Sequence, residues 1–183
     1  MRHLLKISLS LYIILLVTIS FTFPASAQQS AMNFFVDGVE ALEVADYEDA
    51  IKSFKKAIDL EPSNLEFYYY LGLTYSAMKR YEDALRVFES ILHKEPVRFR
   101  KVYFEIAGVY ARQKRYQKAI DTLKLVEKID PKDTRIYLEK GYAYQRLKDY
   151  DKAIENFNKA KDLDPKLTQV AYYNIAAVYF EVE

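Results

Sequence analysis

Along residues 31–183, apolar and polar positions recur with the period of a helix and not of a strand. Tyr68, Leu71, Gly72 and Tyr75 fall at i, i+3, i+4 and i+7, which is one face of a helix. Ala84, Phe88 and Ile91 form a second stripe of the same kind, and Lys94 and Pro96 follow it as ordinary termination signals. Between the stripes lies the short polar linker Met78-Lys79-Arg80. The predicted unit is therefore a helical hairpin. Asp133 before Thr134 and Thr168 before Gln169 are the expected N-caps of first helices, whereas Pro96-Val97-Arg98 offers none and sits in a junction one residue longer.

The hairpin repeats. Pro62, Pro96, Pro131 and Pro165 are separated by 34, 35 and 34 residues. A column of small residues precedes them, Gly38, Gly72, Ala107 and Gly141, continued by Ala176. Three residues after it stand Ala41, Tyr75, Tyr110, Tyr144 and Tyr179; nine after it, Tyr47, Tyr81, Tyr116 and Tyr150. Twelve after it come Ala50, Ala84, Ala119 and Ala153, and sixteen after it Phe54, Phe88, Leu123 and Phe157. A fixed period with one size of side chain per column means units that bury their faces against neighbours. Four full units, 31–64, 65–99, 100–133 and 134–168, precede a partial fifth at 169–183. The small column is expected to let the two helices of a hairpin approach, with Gly72 opposite Ala84. With Tyr68, Tyr103, Tyr137 and Tyr172 four residues before the small column, 12 of the 17 tyrosines lie in three repeat columns and read as core.

Leu71-Gly72, Tyr75, Tyr81, Ala84, Phe88 and Pro96 resemble, in order, the pattern of the tetratricopeptide repeat. The departures are Ala107 and Ala176 for glycine and Leu123 for phenylalanine. The resemblance covers residues 31–183 and implies an all-α, right-handed superhelical solenoid of antiparallel helix-turn-helix hairpins. It also implies a concave groove, lined by the first helices, that holds an extended or helical peptide.

The N-terminus is different in kind. Arg2, His3 and Lys6 precede an apolar run from Ile7 to Phe23, closed by Pro24 and then by Ala25-Ser26-Ala27. Basic start, apolar core and small-x-small tripeptide are the parts of an export signal, so residues 1–27 are expected to be a signal peptide cut after Ala27, with 28–30 a short linker. An uncleaved membrane anchor is the alternative, and it is the only route to membrane attachment here. Either way the repeats are expected outside the cytoplasm, periplasmic or secreted.

Composition then removes most chemistry. The chain has 27 basic and 26 acidic residues, so the positive footprint needed for nucleic acid is missing. It has no cysteine, hence no disulfide, thiolate metal site or cysteine nucleophile. His93, beside Lys94 near a helix end, reads as a surface histidine and not as part of a triad. Acidic pairs such as Glu82-Asp83 fall where a second helix opens and complement its dipole. No catalytic residue, metal ligand or cofactor is expected.

Binding is what remains. Three residues before the small column stand Phe35, Tyr69, Phe104, Leu138 and Tyr173; one after it stand Val39, Leu73, Gly108, Tyr142 and Ala177. These positions are i and i+4 and share a face. Lys101, Arg135, Arg112 and Arg146 extend the stripe with positive charge, partly answered by Glu105 and Glu139. The expected peptide-binding set is Phe35, Val39, Tyr69, Leu73, Phe104, Arg112, Leu138, Tyr142, Arg146 and Tyr173. Aromatics at helical spacing are commonly core, so packing competes for this stripe. The Lys and Asn with which some members of the resembling family clamp a C-terminal carboxylate are absent, since Phe35 and Val39, or Tyr69 and Leu73, occupy those places.

The function expected is a non-catalytic adaptor of a bacterial-type cell envelope, with a protein or peptide partner. One alternative is self-association, as a homodimer through the last helix, where Tyr172, Ile175, Ala176 and Tyr179 present an apolar face with no following helix in the sequence. Another is cell-wall glycan stacked on the tyrosines.

Overall fold

The computed structural model describes residues 25–98 and 100–182. The apolar run of the expected signal peptide lies outside them; Ala25, Ser26 and Ala27 open the first described helix. Among the described residues there are nine α-helices, one 3-10 turn and no strand. They are α1 (Ala25–Glu43), α2 (Tyr47–Leu60), α3 (Leu65–Ala77), α4 (Tyr81–Lys94) and α5 (Lys101–Arg112). After these come α6 (Tyr116–Ile129), α7 (Thr134–Arg146), α8 (Tyr150–Leu163), the 3-10 turn Pro165–Leu167 and α9 (Thr168–Val182). No described helix is long and apolar enough to cross a membrane.

Each hairpin turn is built the same way. Ala45, Lys79, Lys114 and Lys148 adopt φ near +60°, and the surrounding amides close a Schellman motif. In the second hairpin, for example, Lys79 N–H donates to the Ser76 carbonyl and Arg80 N–H to the Tyr75 carbonyl, at 3.1 and 2.9 Å. Glycine normally fills this left-handed position, and here four other residues hold it. The helix after the turn is capped by the side chain of Asp46 in the first hairpin and Asp149 in the fourth, whereas Arg80 and Arg115 cap nothing.

At first-helix starts, Asp133 accepts from Arg135 N–H as expected, and the Arg100 junction lacks a side-chain cap. Thr168 departs from expectation. It is the first residue of α9 and not its cap, and its hydroxyl donates to the Pro165 carbonyl at 2.6 Å while Asp164 caps the 3-10 turn.

The chain forms two compact units, residues up to Phe67 and residues from Tyr68 onward, dividing within α3. In the first unit Ala31, Ala57 and Phe67 are buried together with Phe34, Phe35, Ile58 and Leu60 packed on them. In the second unit one cluster joins Phe104, Ala107, Ala119, Leu123, Val126, Ile136, Tyr137 and Ala160 across α5, α6, α7 and α8. A further cluster joins Ala153 and Phe157 to Ala171 and Val178 of α9.

The small column does its work against a residue other than the expected one. A Cβ built on Gly38, Gly72 or Gly141 would stand 2.5–2.6 Å from Cε1 of Phe54, Phe88 or Phe157 respectively. The glycine is therefore required by the phenylalanine ring packed against it, whose edge atoms occupy the place a side chain would take. The third hairpin carries both departures together, Ala107 with Leu123. A methyl is gained on one helix and a ring is lost on the other, so the clash of the other hairpins does not arise here.

The tyrosine columns are less buried than the sequence implied. Tyr75 and Tyr137 are buried, most of the others are half-buried, and Tyr172 and Tyr179 are exposed. Cations cover the open faces of several: Arg80 lies 4.7 Å from the Tyr75 ring, Lys94 5.2 Å from Tyr68 and Arg115 5.2 Å from Tyr110. A ring with an apolar body and a polar tip suits this half-wet position better than phenylalanine.

Candidate functional site

In the second unit, contacts at one-repeat spacing tie each first helix to the next. The Tyr69 hydroxyl of α3 donates to Glu105 Oε1 of α5 at 3.4 Å, and Arg112 of α5 donates to Ser76 Oγ of α3 at 2.8 Å. Lys101 Nζ sits 3.9 Å from the centre of the Tyr69 ring, and the Arg135 guanidinium of α7 lies 4.3 Å from Phe104. Asn174 of α9 donates to the Tyr142 hydroxyl at 3.0 Å, and Gln145 to Glu181 at 2.8 Å. The first helices thus lie side by side with the predicted stripe at their common face. Polar groups there are shared between packing and the surface.

The predicted residues divide accordingly. Tyr69 and Leu73 are half-buried on α3, and Leu73 borders a small cavity with Ser76, Glu105 and Arg112. Phe104 is 6% exposed, roofed by Arg135, and belongs to the core cluster. Leu138 packs against each of the two clusters just described for this unit. Tyr142 is 40% exposed, its ring edge-on to Phe157 at 5.3 Å. Tyr173 projects from α9 at 76% exposure. Arg112 and Arg146 are exposed. Phe35 and Val39 lie in the first unit, and the Phe35 ring is 5.1 Å from Phe67 and 5.9 Å from Phe54, so it is chiefly a packing residue there.

Arg112, Tyr142 and Arg146 meet at a cavity of about 490 Å³. Its floor is Ala107, Ala111, Ala119, Leu123 and Ala143, its aromatic walls are Tyr116 and Tyr142, and Lys114 and Glu139 complete the rim. Lys114 was not singled out from the sequence, and Tyr116, read there as core, and Glu139, read as answering the arginines, were not in the expected peptide-binding set. Lys114 reaches the rim because it occupies the left-handed turn position between α5 and α6.

A separate ionic cluster joins α6 to α7. Lys140, 9% exposed, donates to Glu127 Oε2 at 2.8 Å, and Lys159 of α8 lies 3.6 Å from Glu127 Oε1. Burial pushes the Glu127 carboxyl up, but the hydrogen bond and charge of Lys140 outweigh it and hold the group below the ordinary glutamate range. Burial pushes the Tyr137 hydroxyl up, and that hydroxyl donates to the Pro131 carbonyl at 2.7 Å. Among the described residues, no group of histidine, aspartate and glutamate is placed to hold a metal ion.

Tetratricopeptide repeat profiles match residues 46–79, 73–134 and 134–167, which together run without a gap from 46 to 167. The chain is a tetratricopeptide repeat protein. None of the curated proteins matches its sequence. Solved structures match its fold. The crystal structure of MamA protein superposes with a TM-score of 0.67 at 23% identity, covering 82% of this chain and 81% of that one. TTC0263, a thermophilic TPR protein of Thermus thermophilus, gives 0.64 at 21%, covering 83% and 82%. A tetratricopeptide repeat protein of Parabacteroides merdae gives 0.70 at 18%, covering 84% of this chain and 61% of that one. At these identities the likeness concerns fold alone. TPR proteins are in general protein-interaction scaffolds without catalytic activity, and the architecture here is of that kind.

Proposed function

We propose that this TPR protein is a non-catalytic adaptor of the cell envelope that binds a peptide segment of another protein on the first-helix face of its second unit. The observation that carries the reading is the cavity between α5 and α7, where an apolar floor and exposed arginines meet on the face that the resemblance assigns to ligand. Tyr69, Leu73 and Tyr142 add partly exposed apolar surface on that face. Aromatic and arginine anchors around a pocket are the usual sources of binding energy at such surfaces.

The test is capture of an envelope partner by cross-linking, followed by titration with Tyr69→Ala and Tyr142→Ala. Loss of more than about 1 kcal/mol of binding is expected; unchanged affinity removes the face from the argument. Pull-down on purified wall polymer with the same variants separates glycan from peptide. Export is tested by N-terminal sequencing of the envelope-localised protein: a start at Gln28 supports cleavage, and an intact Met1 supports the anchor.

Self-association is favoured by one observation. α9 exposes Tyr172, Tyr173, Tyr179 and Phe180, the last at 84%, and contiguous apolar surface of this sort commonly marks an interface. A mass from light scattering equal to one chain, unchanged at high concentration, counts against it.

A further inference from the structure

In the first, second and fourth hairpins the phenylalanine sixteen residues after the glycine fills the space above it. In the third, Ala107 and Leu123 stand in those two places, and both line the 490 Å³ cavity. The next position holds Val39, Leu73 and Tyr142 in the other hairpins and Gly108 here; a Cβ added to Gly108 would meet nothing within 4 Å. Leu123 brings less bulk than the ring of the other hairpins, and the cavity that it lines with Ala107 is open at the surface; Gly108 is not part of its lining.

The mouth of this hollow is electrically lopsided. Arg112, Lys114 and Arg146 are exposed around it, and among the described residues none of the three forms an ion pair within 4.0 Å, although Glu105 borders the neighbouring small cavity with Arg112. Arg112 spends one N–H on Ser76 Oγ. The single acid on the rim, Glu139, lies 3.8 Å from Arg135. In a chain whose charges nearly cancel, three cations against one carboxylate make a local positive surplus over an apolar well. A guanidinium forms its strongest contacts with a carboxylate, bidentate where the fork can align.

We infer that the third repeat is a recognition pocket for one large apolar side chain, aromatic or branched aliphatic, lying next to a carboxylate of the same peptide. The volume is in the range of ligand pockets, roughly 300–1,000 Å³, and exceeds what a lone methyl or carboxyl group would need. The apolar part enters the floor of Ala107, Ala119 and Leu123 beside Tyr142, and the carboxylate stays at the rim with Arg112 and Arg146. This deepens the adaptor reading and rests on it.

Refilling the hollow with the protein's own solution is the direct test. Ala107→Gly with Leu123→Phe restores the packing of the other hairpins and closes the well while leaving the charges in place. Arg112→Ala with Arg146→Ala does the reverse. Full-length protein is used to select binders from a displayed randomised peptide library, and the peptides recovered are resynthesised for fluorescence polarisation. Selected peptides should pair Phe, Tyr, Leu or Ile with Asp, Glu or a free C-terminus, and both double variants should weaken them about tenfold or more, with circular dichroism unchanged. Amidated peptides and Asp→Asn or Glu→Gln peptides then tell a terminal from a side-chain carboxylate. Peptides without an acid, or affinity that survives closure of the well, overturn the inference. If affinity survives closure but falls with Tyr69→Ala, the adaptor reading stands and the pocket does not. If no peptide is recovered, the pocket fails and the broader reading rests on the cross-linking result alone.

Discussion

Gly141→Ala should destabilise this protein although alanine is the better helix former. The added Cβ would stand 2.5, 2.7 and 2.9 Å from Cε1, Cδ1 and Cζ of Phe157, whereas carbon contacts settle at about 3.5–4.0 Å. The ring is fully buried, so a shift on the order of 1 Å must be taken up by close-packed neighbours. Overpacking of this kind costs about 1–3 kcal/mol, and three ring atoms in conflict put the cost in the upper half of that range. Helix propensity returns about 1 kcal/mol. The net expectation is a loss of about 1–2 kcal/mol, or roughly 2–8 °C in melting temperature for a chain of this size. Phe157→Leu alone loses apolar burial and leaves space, costing about 1–3 kcal/mol. Combined with Phe157→Leu, however, Gly141→Ala should become neutral or stabilising by up to about 1 kcal/mol, because the third hairpin already carries that pair at Ala107 and Leu123. Urea unfolding followed by circular dichroism on the four proteins gives the coupling energy directly, expected near 2 kcal/mol. If the alanine costs the same with either residue at position 157, the ring is not what excludes a side chain there.

The remaining predictions concern turns, caps and the buried ion pair. Lys79→Gly and Lys148→Gly relieve non-glycine residues at φ of 61° and 62° and should each raise stability by about 0.5–1 kcal/mol, read as a higher urea midpoint. Arg115→Asp supplies the cap that Asp46 and Asp149 provide in sister hairpins. It gives up an exposed pair with Glu82 at 3.7 Å and should still gain about 0.5–1 kcal/mol in the same assay. Glu127→Gln leaves Lys140 without its counter-charge and should cost about 1–3 kcal/mol near neutral pH. The folded carboxyl is held below its ordinary value near 4.5, so its contribution is present above that pH and lost as pH falls through the folded value. Stability curves of wild type and Glu127→Gln should therefore converge in acid; parallel curves down to about pH 3 would refute the coupling.

Much of the fold was legible because each column carries a steric reason of its own. A small residue in every first helix predicts a close approach at that point, although the phenylalanine ring that occupies it was not foreseen, and a proline after the second stripe predicts where it stops. The turn residues were not legible. Ala45, Lys79, Lys114 and Lys148 carry no sign of a left-handed backbone, and only the hydrogen-bond geometry reveals it. Lys140 was also hidden, since it falls on a core face where Leu71 and Ile106 stand in other repeats, and Glu127, its partner, lies on a different helix. For the candidate site, stripe periodicity located the face but could not separate Phe104, held in the core, from Tyr142, left partly open. The signal for the cavity was in the sequence as two departures from pattern in one repeat, each mild alone. Their meaning depends on which atoms touch, and spacing does not carry that.

The four hairpin turns are one joint made four times. Each closes on backbone bonds reaching no further than five residues, so the bend itself is made without the hairpins on either side, although side chains such as Gln113 and Arg115 reach across to Glu82. Cutting such a chain at one turn and rejoining it at another would reproduce the same joint, and whole units could be gained or lost without inventing a new bend. The single added residue between Pro96 and Pro131 belongs to a stretch whose junction precedes α5 with no side-chain cap. A length change that would derail a turn is absorbed there.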